Sequence, residues 1–114
     1  MPFALNDPTQ TSPEIHIEDV GTNFLVTIYD QNSQIVNLET ATSFVIRFGK
    51  PDGSSFDKTA ILYTDGLDGK VVYALESGDI DMSGRWSYQI IVSFEDTLFH
   101  TNVQNFVVYK NIEL

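Results

Sequence analysis

The residues with the widest chemical repertoire are scarce: two histidines, His16 and His100. His16 sits in the acidic alternation Glu14-Ile15-His16-Ile17-Glu18. If the two imidazoles met across a sheet, they could hold a metal together with Glu14 or Glu18. No cysteine and no spaced histidine pair accompanies them, so two solvent-facing strand residues and no metal are the expectation. Carboxylates offer two further candidates. Asp65 and Asp68, among glycines, faintly resemble a calcium loop, since hard cations take clustered oxygens. Asp-Gly is also the commonest hairpin turn pair, and the twelve-residue calcium-loop spacing is missing. Glu76, Asp79 and Asp81, with Gly78 and Gly84 beside them, read as an acidic loop.

Catalytic constellations are not visible. Paired-carboxylate hydrolysis needs two acids facing each other across a cleft, one of them in an apolar setting that raises its pKa. No acid here has such a setting. No Gly-x-Ser-x-Gly elbow occurs, and no Gly-rich phosphate loop follows a strand and opens a helix. The expectation is a protein that is not an enzyme and carries no cofactor.

Aromatic residues are the remaining chemistry: eight Phe, five Tyr and one Trp. Trp86 falls in phase with the apolar face of its segment and reads as core. Tyr29, Tyr63 and Tyr109 fall on opposite or ambiguous parities and are candidates for exposure. Exposed aromatics can stack sugars or anchor a subunit interface.

These side chains are positioned by short segments of period two separated by turn chemistry. Ile15 and Ile17 share one side. So do Phe24, Val26 and Ile28, then Phe44, Ile46 and Phe48. Pro51-Asp52-Gly53 follows as a turn, with Pro presetting φ and Gly accepting a positive φ. A weaker strand is expected over residues 56–63, and Asp65-Gly66-Leu67-Asp68-Gly69 turns it back toward Val71, Tyr73 and Leu75. Residues 85–95 form the clearest strand, with Trp86, Tyr88, Ile90, Val92 and Phe94 on one side and Ile91 the exception on the other. Residues 98–109 change phase, Phe99 and Val103 on one parity and Phe106 and Val108 on the other, which calls for a bulge near Gln104-Asn105. Residues 38–42 and 77–83 are the two places for a helical turn. About seven antiparallel strands in two sheets is the pattern of an all-β, immunoglobulin-like sandwich, here over residues 14–114.

Residues 1–13 hold Pro2, Pro8 and Pro13 and read as an extended arm. Pro2, Phe3, Leu5 and Pro8 in this arm, with Tyr29, Tyr63 and Tyr109, are the candidate interface residues. The loops around Asp52 and Asp65 join them as contact regions. The chain of 114 residues fits one domain, and its net charge is −10, with no Lys or Arg before Arg47. Such a surface repels phosphate, so neither nucleic acid nor an anionic membrane is an expected partner. No apolar run is long enough to span a bilayer. The first residues have neither the basic start nor the apolar stretch of a signal peptide.

In order along the chain come Asp19-Val20-Gly21, a strand ending at Asp30, Ile35-Val36-Asn37-Leu38 and Ala41-Thr42-Ser43-Phe44-Val45-Ile46. Lys50-Pro51-Asp52-Gly53, Gly69-Lys70-Val71-Val72-Tyr73, Ser77-Gly78-Asp79-Ile80 and Gly84-Arg85-Trp86-Ser87-Tyr88-Gln89 follow. Over residues 19–108 this series resembles the N-terminal immunoglobulin-like domain of tailed-phage baseplate upper proteins. The matching residues are mostly turn and core positions, so the resemblance bears on fold and lineage. It implies a virion structural protein of the tail or baseplate, assembled in the host cytoplasm. Its role would be an adaptor or fibre-attachment module, with other tail, baseplate or fibre proteins as partners and a homo-oligomer in a symmetric assembly. The alternatives are a carbohydrate-binding module for host glycans and a capsid decoration protein.

Overall fold

Alternating apolar residues on short segments can be buried only if each segment lays one face on a shared core. The computed structural model, which describes residues 15–111, does this with nine strands and no helix. They are β1 (Ile15–His16), β2 (Asn23–Thr27), β3 (Ser43–Gly49), β4 (Ser55–Thr59) and β5 (Ile61–Leu62). After them come β6 (Lys70–Ala74), β7 (Gly84–Ser93), β8 (Leu98–His100) and β9 (Gln104–Tyr109). A six-stranded sheet has the order β1-β9-β7-β3-β4, with β8 also paired to β7, and faces a three-stranded sheet of order β2-β6-β5. Every pair is antiparallel except β1 with β9. In chain order β2, β6 and β5 take the B, E and D positions of an immunoglobulin-like sandwich, and β3, β7 and β9 take C, F and G. Among the described residues no helix is long and apolar enough to cross a membrane.

The predicted faces meet in one core. Phe24, Val26 and Ile28 from the small sheet pack with Phe44, Ile46, Phe48, Trp86, Tyr88, Ile90 and Val92 from the large one. With no cysteine to join the B and F positions, aromatic rings connect the sheets. The Phe24 ring lies 5.4 Å from Tyr88, 5.3 Å from Phe48 and 5.1 Å from Phe106. Edge-on ring pairs of this kind contribute about 0.5–1.5 kcal/mol each beyond their buried area. Trp86 is buried, and its Nε1 donates to the Met82 carbonyl at 3.1 Å.

Four expectations need correction. The single strand over residues 56–63 is two strands in different sheets. Ala60 N still donates to Phe44 O of the large sheet, whereas Tyr63 N donates to Lys70 O of the small one. The chain changes sheets between them. The phase slip lies at residues 101–103 rather than at Gln104-Asn105. On β7, three steps separate Ile91, opposite His100, from Tyr88, opposite Gln104, while the facing chain takes four. Val103 consequently stands 56% exposed instead of sharing a buried parity with Phe99. The two helical stretches reduce to single turns, closed by Ala41 N to Leu38 O and by Asp79 N to Glu76 O, each 3.1 Å.

Turn chemistry fixes the connections. In Pro51-Asp52-Gly53, Gly53 has φ 91° and Asp52 Oδ1 accepts from Ser54 N at 2.9 Å. At Gly69 (φ 67°) an added Cβ would lie 2.5 Å from the Ile35 Cγ2 and 2.9 Å from the Val36 carbonyl, so only glycine fits.

Candidate interaction surface

The carboxylates that could have held a cation have other occupations. Asp65 Oδ1 accepts from Leu67 N at 2.9 Å, and Asp68 accepts from Lys70 N at 3.0 Å and from the Thr64 hydroxyl at 2.7 Å. These are side chains capping their own turn. The Thr64 bond holds the Asp68 carboxyl below its ordinary pKa. Asp79 is 5% exposed and accepts from the Tyr73 hydroxyl and from Glu76 N. Lys58 of β4 lies 3.3 Å from Asp79 and 3.1 Å from Glu76, and Lys50 lies 2.8 Å from Asp81. Burial first, and then the Asp79 carboxylate, push the Tyr73 phenol above its ordinary value. Lys58, whose own pKa is raised chiefly by Glu76 and then by Asp79, pins the edge of the large sheet to the β6–β7 connection. An inward-reaching charge of this kind also blunts β4 as an open edge. The histidines lie on one sheet face but at opposite ends of it, His16 beside Tyr109 and His100 beside Ile91. At about 3.3 Å per residue along β8 and β9, roughly 25 Å separates them.

Charge is segregated along the chain. Among the described residues, Asp57 is the only acid inside a strand; all others lie in the connections. Acids and glycines suit turns, while the pleated faces keep apolar and small polar residues. A molecule of net charge −10 therefore presents sheet faces that are nearly free of acid.

Two of the candidate tyrosines come together on such a face, the outer one of the three-stranded sheet. Register places Leu25, Val72 and Ile61 in one row across the sheet, and Thr27 and Lys70 in the next. Tyr63, whose N donates to Lys70 O, continues that second row. Tyr29 follows on β2 and bridges Ile35. Ile61 is 63% exposed, Tyr63 54% and Ile35 51%; Leu25, Val72 and Tyr29 are half-buried. Lys70 lies over this sheet and donates to the buried Thr27 hydroxyl at 2.8 Å. The sequence reading singled out the tyrosines and missed Leu25, Ile61 and Val72. A signal for two of them was present. Phe24-Leu25-Val26 and Val71-Val72-Tyr73 are unbroken apolar runs where a half-solvated strand should alternate.

Tyr109 lies elsewhere, on the outer face of the six-stranded sheet, with its ring 5.8 Å from that of His16. It is 48% exposed, and the neighbouring Val107 is 47% exposed. The loop around Asp52 joins β3 and β4 of the six-stranded sheet, and Pro2, Phe3, Leu5 and Pro8 lie outside the described residues.

The sequence profile of the BppU N-terminal domain matches residues 6–113. No curated protein matches the chain. A match over nearly the whole length, on a two-sheet sandwich, places the chain in the BppU N-terminal domain family, the N-terminal domains of phage baseplate upper proteins, with a structural role in the phage tail.

Proposed function

We propose that the domain is an attachment module of the tail baseplate, an adaptor that joins a neighbouring tail or fibre protein through the outer face of its three-stranded sheet. The observation that supports this is the row Leu25, Val72, Ile61 with Tyr63 beside it, apolar and without an acid in a chain of net charge −10. Apolar patches left in water mark contact sites. Tyrosine flanked by aliphatic side chains is the composition of an interface centre. Three strands about 4.8 Å apart and five residues long give roughly 200 Å² in projection, too little for a tight pairwise complex. Repetition in a symmetric homo-oligomer would convert such weak contacts into a firm one. Residues 1–13 supply a second contact in this reading, and assembly takes place in the host cytoplasm. The role is structural rather than catalytic, since the candidate carboxylates serve turns and ion pairs. Nucleic acid and anionic membranes are not partners, because the acidic loops repel phosphate.

The test is incorporation of Ile61→Asp and Tyr63→Asp chains into tails produced in infected cells. Losing one buried aliphatic or aromatic anchor costs about 1–3 kcal/mol, so binding should fall about ten- to a hundredfold per substitution with the fold intact. Variant tails carrying the chain at normal occupancy would sink the proposal.

One observation favours glycan binding instead. A groove of about 500 Å³ is lined by Thr40, Phe94, Glu95, Asp96, Thr97 and Phe99, which combines rings, hydroxyls and carboxylates. The two rings meet edge to face at 5.9 Å and 74°, however, and so form no flat platform for a sugar. The attachment reading accounts for more of the surface. A glycan screen of the wild-type chain, read against Phe94→Ala, separates the two.

A further inference from the structure

The larger uncovered surface is the outer face of the six-stranded sheet. Its rows are set by register. Ser43, Ser93 and Leu98 form the first, and Thr59, Val45, Ile91 and His100 the second. Asp57, Arg47 and Gln89 form the third, and Ser55, Gly49, Ser87 and Asn105 the fourth. Arg85 with Val107, and Tyr109 with His16, complete it. Its single acid among the described residues, Asp57, is held by Arg47 in a two-pronged pair at 2.7 and 3.0 Å. Arg85 then leaves the face slightly positive, while the chain as a whole carries −10.

We propose that this face pairs with the same face of a second copy of the chain. The proposal rests on the reading of the domain as an assembly module and names one of its partners. Three features of the face point to a second copy as the occupant. The first is chemical self-complementarity. Ser, Thr, Asn and Gln side chains both donate and accept, so a face built from them is complementary to itself, which a face of acids or of bases is not. The exposed and half-buried apolar residues lie toward the two ends, with Val45 and Leu98 at one and Val107 and Tyr109 at the other. A two-fold axis in the plane of contact that runs along or across the strands therefore sets apolar ends on apolar ends.

The second feature is electrostatic. Two chains of charge −10 repel, and the acids responsible lie in the loops. Face-to-face approach of the large sheets, unlike approach through the loops, puts an acid-poor surface at the contact and leaves the loops at a solvated rim, where screening is strongest. The third is size. Against the roughly 800 Å² per partner of a standard specific interface, the six strands, two to ten residues long and about 4.8 Å apart, give roughly 500 Å² in projection. The three-stranded face reaches less than half of that. The centre of the large face is also low, because the row Ser55, Gly49, Ser87, Asn105 has a glycine between two serines, and close approach is open.

The experiment is sedimentation equilibrium of the 114-residue chain from micromolar to about millimolar concentration. A reversible dimer is the expected result. Ser87→Glu with Asn105→Glu, which places four new carboxylates at the centre of the pair, should raise its dissociation constant at least tenfold while the far-ultraviolet spectrum and the melting temperature stay unchanged. Ile61→Asp on the opposite face should leave the constant within twofold. A monomer throughout the range overturns the pairing, and so does a dimer that Ile61→Asp weakens and Ser87→Glu with Asn105→Glu does not. The same preparations assayed for entry into tails keep the two readings apart. A monomeric chain that enters tails removes this pairing alone, whereas a dimeric chain that never enters them removes the attachment role.

Discussion

At Thr101 the chain slips by one residue against β7, and its side chain does the work of the displaced backbone. Thr101 N donates to Ile90 O at 2.9 Å, and Ile90 N donates in return to the Thr101 Oγ1, also at 2.9 Å. The Thr101 carbonyl is released to accept from the Gln89 side chain at 2.9 Å. The slip decides which residues reach the surface as well as which pack, because a one-residue change of register turns a strand inside out. Without it Val107 and Tyr109 would enter the core, and Phe106 and Val108 would face water. Thr101→Val keeps the shape and removes the acceptor. Ile90 is 1% and Thr101 7% exposed, so the orphaned N–H has no route to water and the cost is about 2 kcal/mol. Thr101→Ser retains the oxygen and loses one methyl, about 0.8 kcal/mol. For a domain near a hundred residues these amount to drops of about 10 °C and 4 °C in melting temperature. Urea and thermal unfolding followed by the fluorescence of Trp86, the single tryptophan, measures both. A valine variant within 0.5 kcal/mol of wild type, or a serine variant as unstable as valine, would refute the role given to the hydroxyl.

Asp79→Ala removes the buried acceptor of Tyr73 and of Glu76 N and one partner of Lys58, and should cost about 3 kcal/mol in urea unfolding. Lys58→Met, which leaves the Tyr73 to Asp79 bond in place, should cost about 1 kcal/mol or less in the same assay. In acid, Arg47 holds Asp57, Ser54 holds Asp52 and Thr64 holds Asp68 below their ordinary pKa values. A depressed carboxylate contributes its full stability above the unfolded value near 4 and loses it as the pH falls through the lower folded value. Melting temperature should therefore be level from about pH 8 to 5 and decline below about 4. The difference between wild type and Asp57→Asn should be small, because the pair is exposed, and should shrink as the pH falls below the ordinary carboxylate range and Asp57 is protonated in the folded state.

What could be read from the residues alone was the side of each strand that turns inward. Phe24, Val26 and Ile28, then Phe44, Ile46 and Phe48, then Trp86, Tyr88, Ile90 and Val92 share sides because a pleated chain repeats every two residues, a local property. The Pro51-Asp52-Gly53 turn was equally local, since proline and glycine restrict or permit φ by themselves. The family was legible for the same reason, its pattern being turns and core.

The rest depended on which strands lie side by side. Nothing within residues 56–63 indicates that the chain leaves one sheet at Ala60 and joins the other at Ile61. That change follows from hydrogen bonds to Phe44 and to Lys70, each distant in sequence. Nor could parity show that Tyr29 and Tyr63 share a face while Tyr109 lies on the opposite sheet, or that Leu25, Val72 and Ile61 line up in one row. Side-chain alternation belongs to the single strand and is written in its residues. Neighbourhood between strands arises from pairing over long loops and from the one packing of two sheets that buries every apolar side at once, so the surface offered to partners was decided only by the tertiary structure.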